Sequence, residues 1–319
     1  MRRSALVRPL FASVFLLAAA CGPTAGDGGG GGGDDDGAPD GGRPDAAPPI
    51  VYPDGGSAQR CEKIDILFVI DNSGSMGEEQ ANLAANFPGF ISVLDQSGLD
   101  YRVAVTSTGM DYSYTMDTPI GPLPSSQTGG DNGAMLQRCG MTRRWIEKTD
   151  TDPAGTFGCA AALGTSGPSD EMPLASMRAA FDDRMSDGTN GGFRRDDALL
   201  AVVLLTDEND CSYEQSVTLP FAQSLCDSMM EPVSNYVGYL DSYTGDRGRW
   251  AAAVIAGPGP GRCTSDFGDA DYAQRLDDFV QQTGQNAVLS SICSGDLTTG
   301  LADALEVFSA ACDEFPPID

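Results

Sequence analysis

The sequence predicts an α/β fold in which a doubly wound, mostly parallel sheet carries helices on both faces and an inserted loop region. Two observations lead to this prediction. Apolar runs at residues 64–70 and 198–205 have the length and β-branched content of strands buried on both faces of a parallel sheet. Segments with helical spacing of apolar residues lie between such runs, and this alternation is typical of parallel sheets with right-handed crossovers.

The predicted elements alternate from the first strand onward. After the strand at residues 64–70, apolar residues at helical spacing predict a helix over residues 78–94. Pro88 lies inside that helix and predicts a kink or two shorter helices, because proline removes a backbone hydrogen bond. Residues 109–164 are turn-rich and predict an insertion. The other predicted elements are a strand at 101–107, a helix at 172–185, strands at 198–205 and 250–256, a helix at 272–282, a strand at 287–292 and a closing helix at 297–310.

Residues 1–21 have the pattern of an export signal. Three arginines precede a short apolar run at residues 10–20, which is too short to span a bilayer as a permanent helix. The run ends in small residues at Cys21 and resembles the lipobox of bacterial lipoproteins, in which this cysteine becomes the lipidated first residue. We therefore expect an exported lipoprotein of the outer membrane or cell surface. Gly22, in place of an aspartate after the cysteine, favours the outer membrane. Ordinary secretion is the alternative.

Residues 22–58 form a predicted tether between the signal and the folded part. The segment is rich in Gly, Asp and Pro and has too few apolar residues to form a core. The folded domain is accordingly expected over residues 59–315.

The cysteine count agrees with export. Eight cysteines remain when Cys21 is set aside, and an even number in an exported chain predicts disulfides, although many connectivities are possible. None of them has the close Cys-x-x-Cys spacing of a zinc site. Proximity along the chain favours the pairs Cys139–Cys159, Cys211–Cys226 and Cys263–Cys293, with Cys61–Cys312 joining the two ends of the domain.

The charge of the chain excludes several classes of function. A formal net charge of −27 argues against nucleic-acid binding, which needs clustered Lys and Arg. It also argues against contact of the domain itself with anionic lipid, so we expect membrane attachment through the lipid anchor only. The chain contains no histidine, which excludes Ser-His-Asp and Cys-His catalysis.

Oxygen-bearing side chains follow the first predicted strand at alternate positions. Asp71, Ser73 and Ser75 come directly after the apolar run at residues 64–70. The carboxyl end of a parallel strand is where α/β sheets place their binding crevice. One carboxylate and two hydroxyls are hard donors of the kind that Mg²⁺ prefers, so the sequence predicts a divalent-cation site here.

The strand beginning at residue 198 also ends in an aspartate, Asp207. With both strand ends present, residues 61–312 resemble the von Willebrand factor type A (vWA) family, whose domains bind a cation at a metal-ion-dependent adhesion site made of three loops. The family's Asp-x-Ser-x-Ser motif matches Asp71, Ser73 and Ser75, and its third-loop aspartate matches Asp207. The resemblance also implies a second-loop threonine ahead of a helix, for which Thr165 is the best candidate and Thr142 a poor second.

This resemblance implies a Rossmann-like vWA fold and a cation-dependent role in adhesion. Mg²⁺ or Mn²⁺ would be held by the five candidate ligands Asp71, Ser73, Ser75, Thr165 and Asp207. Hydroxyl ligands leave such a cation undercharged, so a partner protein is expected to supply an acidic residue. Glu208 and Asp210 either hold a second cation, Ca²⁺, or cap a helix or face solvent, and the sequence favours capping or solvent.

Three other interpretations remain open. Asp71, Ser73 and Ser75 also suit a metal-free turn that caps a helix. A structural envelope protein whose metal serves stability alone is the second alternative. A Mg²⁺-dependent phosphotransferase with Asp71 as nucleophile is disfavoured, because such enzymes need a second acid where this chain has Ser73. We therefore expect a binding protein and no enzymatic activity.

Overall fold

The computed structural model describes residues 60–213, 218–221, 226 and 230–317. The expected signal segment, the lipidation site Cys21 and the tether at residues 22–58 lie outside these described residues. No helix within the described ranges is both long and apolar enough to cross a membrane.

A six-stranded, mostly parallel sheet forms the centre of the domain, and the described residues also form two small sheets. The order in the main sheet is β11-β8-β6-β1-β2-β5, in which only the edge strand β5 runs antiparallel to its neighbour. The strands are β1 (Lys63–Ile70), β2 (Asp100–Ser107), β3 (Tyr112–Thr118), β4 (Gly121–Gln127), β5 (Ile146–Glu147), β6 (Leu199–Leu205), β7 (Thr218–Leu219), β8 (Trp250–Ala256), β9 (Cys263–Ser265), β10 (Gly268–Ala270) and β11 (Ala287–Ser291).

Helices cover both faces of the main sheet. They are α1 (Gly77–Ser97), α2 (Pro153–Ala161), α3 (Pro173–Phe181), α4 (Asp183–Ser186), α5 (Val233–Thr244), α6 (Gln274–Thr283) and α7 (Thr298–Asp313). Alternate residues of β1 enter two separate cores: Phe68 packs with α1, α2 and α7, whereas Leu67 packs with α3, α5 and α6. The predicted α/β class with a mostly parallel sheet is therefore confirmed.

The register of the central strands brings three chain segments to one edge of the sheet. Ile70, at the end of β1, pairs with Leu205 of β6 on one side and with Ser107 of β2 on the other. The Asp71 amide donates to the Leu205 carbonyl at 2.9 Å, and the Thr108 amide donates to the Ile70 carbonyl at 3.1 Å. The residues that follow β1, β2 and β6 consequently meet at the carboxyl edge of the sheet.

Several predicted helices differ from the observed ones. Pro88 lies inside a single helix, α1, so the expectation of two shorter helices is wrong; the buried face of α1, which includes Phe87 and Phe90, packs along the sheet on both sides of the proline. The helix expected at residues 172–185 is divided at Asp182 into α3 and α4. Helix α5 was not predicted.

The predicted insertion at residues 109–164 contains regular structure. It includes the hairpin β3–β4, whose strand β3 also pairs with β7 to form a three-stranded sheet. Pro122 and Pro124 lie in β4, and an edge strand tolerates proline because its outer backbone groups need no ladder partner.

Four disulfides join the eight cysteines in the pairs expected from chain proximity. They are Cys61–Cys312, Cys139–Cys159, Cys211–Cys226 and Cys263–Cys293. The first pair closes the domain between its two ends, with a separation of 251 residues. Such a framework fits an exported chain.

Candidate metal centre

Asp71 is the central acid at the carboxyl edge of the sheet and is fully buried. Its Oδ1 accepts a 2.7 Å hydrogen bond from the Ser73 amide, and its Oδ2 accepts a 2.6 Å hydrogen bond from the Thr206 hydroxyl. Both donors are neutral. Burial therefore prevails and raises the pKa of Asp71 to about 6, while the two hydrogen bonds oppose the rise and the charge of Asp207 adds to it.

The two serines of the motif lie side by side after Asp71. Their Oγ atoms are 3.2 Å apart, with Ser73 buried and Ser75 exposed. The turn that carries them ends where α1 begins at Gly77. The motif thus directs one carboxylate and two hydroxyls to the same edge, as the sequence predicts.

Asp207 reaches the same place from the end of β6. Its side chain is 4 % exposed, and its Oδ1 has no hydrogen-bond partner among the described residues. Burial raises the pKa of Asp207, and a hydrogen bond with the Ser75 side chain acts against that rise. A buried carboxylate oxygen without a partner is costly, so this atom marks a position for a cation or another donor.

Thr165 lies on a loop that packs against the Asp71 turn. Gln80 links the two segments: its Nε2 donates to the Asp71 carbonyl at 2.8 Å and to the Gly164 carbonyl at 3.0 Å. The Gly167 amide donates to the Asn72 carbonyl at 2.9 Å. The Thr165 side chain itself is exposed. Its loop is therefore brought to the candidate centre, whereas the second candidate, Thr142, borders a different surface cavity beside Cys139.

Sequence reasoning missed Glu171, which lies two residues before α3. The residue is 1 % exposed, its Oε2 accepts a hydrogen bond from the Thr108 hydroxyl, and its Oε1 has no partner among the described residues. Burial raises the pKa of Glu171 to about 9, and the negative charge of Asp71 is the next largest cause. The only signal in the sequence is an acid immediately before an apolar helix start, which more often indicates helix capping.

Two further glutamates add to the negative charge. Burial raises the pKa of Glu79 and of Glu208 to about 7 each, and in both cases the charges of Asp71 and Asp207 contribute. The Oε2 of Glu79 is also buried without a partner among the described residues. Carboxylates that are buried together repel one another, and a bound divalent cation removes that penalty.

The residues present fit a hard divalent cation. The donors at this edge are all oxygen atoms, from carboxylates and hydroxyls, which is the set that Mg²⁺, Mn²⁺ and Ca²⁺ use. The buried oxygens of Asp207 and Glu171 that lack a partner among the described residues supply two positions that a cation or a hydrogen-bond donor would satisfy.

Asp210 has a structural role that corrects one expectation. We expected it to cap the next helix, face solvent or bind a second cation, but it is 1 % exposed, so solvent exposure is wrong. Its Oδ2 lies 3.0 Å from the Arg275 Nε, and its Oδ1 accepts from the Leu174 amide at 3.1 Å, in the first turn of α3. Asp210 therefore caps α3, which precedes it in the chain, and its carboxylate is already engaged.

A second group of metal-ligand residue types carries no site. The carboxylate of Asp170 lies within 4.8 Å of the sulfur atoms of Cys211 and Cys226. These two sulfurs are joined in a disulfide, so they are not thiolate ligands.

No model of a known protein family matches the chain, and no curated protein is significantly similar to it. Among solved structures, proximal thread matrix protein 1 from the mussel byssus is 13 % identical, with a TM-score of 0.40 over 78 % of this chain and 49 % of that chain. The pilus adhesin SpaC from Lactobacillus rhamnosus GG is 11 % identical, with a TM-score of 0.42 over 82 % of this chain and 31 % of that chain. The present chain thus spans less than half the length of either protein.

Proposed function

We propose that the domain is a vWA-type module that binds a protein partner through a divalent cation. The observation that carries this proposal is the partnerless, buried Oδ1 of Asp207, which lies beside the Asp71 motif at the carboxyl edge of a parallel sheet. The helices on both faces of that sheet support a doubly wound arrangement of the vWA kind.

The ligands would come from three loops of this chain. Asp71, Ser73 and Ser75 supply the first loop and Asp207 the third. The second loop offers two candidates, the exposed hydroxyl of Thr165 and the buried carboxylate of Glu171. The cation would be Mg²⁺ or Mn²⁺, and the surplus of carboxylates also suits Ca²⁺.

The bound cation would supply an electrophilic position that accepts an oxygen ligand from outside. Asp71 is held in place by Ser73 and Thr206, so it would orient the site without being available to the partner. Ser75 is exposed, so its hydroxyl would be a ligand on the solvent side of the proposed site. An aspartate or glutamate of the partner would reach the cation there and complete its coordination.

The setting of this module would be the outside of the cell. Four disulfides favour an oxidising compartment, and the lipobox-like Cys21 would attach the chain to the outer membrane or cell surface through its lipid. The negative domain would remain clear of anionic lipid, and we propose no enzymatic activity for it.

Affinity capture tests this function. The mature chain, produced with its disulfides formed, is immobilised and exposed to cell-surface proteins in Mg²⁺ or in EDTA, beside Asp71→Ala and the exposed-site control Asp266→Ala. We expect a partner that is retained in Mg²⁺ by the wild type and the control, and released by EDTA. Replacing one carboxylate of the purified partner by an amide should then abolish its binding.

Two results would count against the proposal. Partner binding that persists in EDTA and in the Asp71→Ala variant would show that the partner binds without the cation. A cation that raises the melting temperature while no bound protein responds to it would favour a purely structural metal.

A further inference from the structure

Exposed apolar side chains are concentrated at the hairpin β3–β4. Four large apolar side chains in the described part of the chain are exposed: Val93 (49 %), Ile120 (89 %), Leu123 (49 %) and Phe221 (61 %). Ile120 lies at the tip of the hairpin and Leu123 on β4, while Phe221 follows the end of β7. Because β7 runs parallel to β3, Phe221 lies towards the same tip. Apolar groups gathered in this way on a surface typically mark a binding region.

The exposed residues continue an apolar row that begins in a buried cluster. Met116 of β3 pairs with Leu219 of β7 on one side and with Leu123 of β4 on the other. Residues that lie opposite each other on paired strands point to the same face of a sheet, so these three side chains form one row. Leu219 is 1 % exposed and packs in a cluster with Met110 and Met172, Met116 is half-buried, and Leu123 is exposed. The domain therefore holds the inner end of the row, and the outer end on β4 is open.

The base of the hairpin is fixed to the second loop of the candidate metal centre. The Gln127 Oε1 accepts hydrogen bonds of 3.2 Å from both the amide and the hydroxyl of Ser169, and the Tyr112 hydroxyl donates to the Asp170 carboxylate. Ser169 and Asp170 lie on the segment between the two candidate ligands of the second loop. Each strand of the hairpin has 7 residues and so spans about 20–24 Å from base to tip. The hairpin thus adjoins the candidate metal centre at one end and presents apolar side chains at the other.

The composition of the hairpin indicates the chemistry of its partner surface. Residues 112–127 contain a single charged side chain, Asp117, in a chain whose formal net charge is −27. The hairpin therefore offers a nearly neutral, apolar surface on a strongly acidic protein. The outer strand β4 carries Pro122 and Pro124, which lack the amide donors that a further strand would need. Contact is thus expected through apolar side chains and not through addition of a strand to the sheet.

We propose that the β3–β4 hairpin is a second contact region for the protein partner that binds the cation. This inference rests on the proposed function and adds the chemistry of the partner to it. One acidic side chain on the cation covers only a small part of the roughly 800 Å² that each protein contributes to a stable interface. Ile120, Leu123 and Phe221 supply apolar area next to that contact. The partner accordingly carries an uncharged apolar surface beside the acidic residue that reaches the cation.

Photocrosslinking and affinity measurements on the disulfide-bonded mature chain test this proposal. The probe is the purified protein that the affinity capture described above retains in Mg²⁺ and releases in EDTA. Ile120 is replaced by p-benzoylphenylalanine in one protein and Val93 in another, and both are irradiated with the probe in Mg²⁺ and in EDTA. Dissociation constants are measured for Ile120→Ser/Leu123→Ser and for Val93→Ser. Val93 is the matched control, because it is as exposed as Leu123 and lies in the last two turns of α1, at the end remote from the Asp71 motif.

We expect a crosslink to the probe from position 120 in Mg²⁺, and none in EDTA or from position 93. The Ile120→Ser/Leu123→Ser variant should bind the probe about tenfold more weakly or worse, because it loses the burial of two apolar side chains. Its Mg²⁺ affinity and melting temperature should equal those of the wild type, since both side chains are exposed in the free protein. Val93→Ser should bind the probe as the wild type does.

Three results would overturn the proposal. Cation-dependent binding without a crosslink at position 120, or without a loss in the Ile120→Ser/Leu123→Ser variant, would remove the hairpin from the interface and leave the proposed function standing. A crosslink at position 120 between two copies of this chain, in place of the probe, would assign the hairpin to self-association. The absence of any protein that is retained in Mg²⁺ and released in EDTA would overturn the proposed function and this inference with it.

Discussion

The hydroxyl of Thr206 donates a 2.6 Å hydrogen bond to Oδ2 of Asp71 and so joins the ends of β6 and β1 inside the candidate metal centre. Both residues are fully buried. Thr206 is therefore placed to fix the orientation of the carboxylate on which the proposed cation binding depends, although it is not itself a proposed ligand.

Thr206→Val should weaken Mg²⁺ binding, because it removes this bond while keeping the side-chain shape. We expect a loss of about tenfold in affinity and of about 1–3 kcal/mol in the free energy of unfolding. Calorimetric titration and urea unfolding measure the two effects. Thr283→Val is the matched control, since Thr283 makes a buried 2.8 Å hydrogen bond to the Phe279 carbonyl within α6. Equal Mg²⁺ affinities of Thr206→Val and the wild type would contradict the role assigned to Thr206.

The cation-free protein should become less stable as the pH rises. Burial raises the pKa of Asp71 to about 6, of Glu79 and Glu208 to about 7, and of Glu171 to about 9. Between the unfolded and folded pKa values the folded state binds more protons than the unfolded state, so the free energy of unfolding falls with increasing pH. The decline should extend from the unfolded pKa values to about pH 9.

Thermal melting in a chelator at about pH 5 and about pH 8 measures this dependence. We expect the lower melting temperature at the higher pH, and a larger rise on adding Mg²⁺ there, because the cation replaces the lost protons. Glu171→Gln should flatten the dependence. A melting temperature that increases with pH throughout this range would show that these carboxyls do not have raised pKa values.

The two candidates for the second-loop ligand make different predictions. Glu171 has a buried oxygen without a partner among the described residues, whereas the Thr165 side chain is exposed. We expect Glu171→Gln to weaken Mg²⁺ binding by about tenfold or more and Thr165→Val to weaken it less, because a carboxylate supplies charge as well as an oxygen. A larger loss of Mg²⁺ affinity in Thr165→Val than in Glu171→Gln, measured by calorimetric titration, would indicate that Thr165 is the ligand.

The Cys61–Cys312 disulfide should contribute more stability than Cys139–Cys159. The two bridges close segments with separations of 251 and 20 residues, and a longer closed loop restricts the unfolded chain more. Replacing both cysteines by serine should lower the free energy of unfolding by about 5–6 kcal/mol for the first pair and about 3 kcal/mol for the second. Urea unfolding followed by circular dichroism measures both, and equal losses would contradict the expected dependence on loop length.

The parts of the fold that were predictable from sequence are those in which a local run of apolar residues indicates burial. The strand at residues 250–256 was predicted with its observed bounds, because every residue in it is apolar and buried. The position of Asp71 at the end of a strand was predictable because it directly follows the apolar run at residues 64–70. Helix α5 was missed because its segment, residues 233–244, contains three Tyr, two Ser, one Gly and one Thr, which are weak helix formers. Packing of Tyr236 and Leu240 in the core stabilises it.

The missed parts of the candidate centre depend on contacts between distant segments. Nothing near Glu171 in the sequence shows that it becomes buried beside Thr108, 63 residues earlier in the chain. The ion pair of Asp210 with Arg275 was missed for the same reason, since it arises only in the folded chain. An acid after an apolar run is visible in sequence, but its burial and its partner are decided by tertiary structure.

Titration of Mg²⁺ and Mn²⁺ into the chelator-treated, disulfide-bonded protein tests the central claim most directly. The wild type is measured beside Asp71→Ala and the exposed-site control Asp266→Ala. We predict saturable binding of one cation by the wild type and the control, and none by Asp71→Ala. Equal binding by all three proteins, or binding by none, would contradict a cation site built on Asp71.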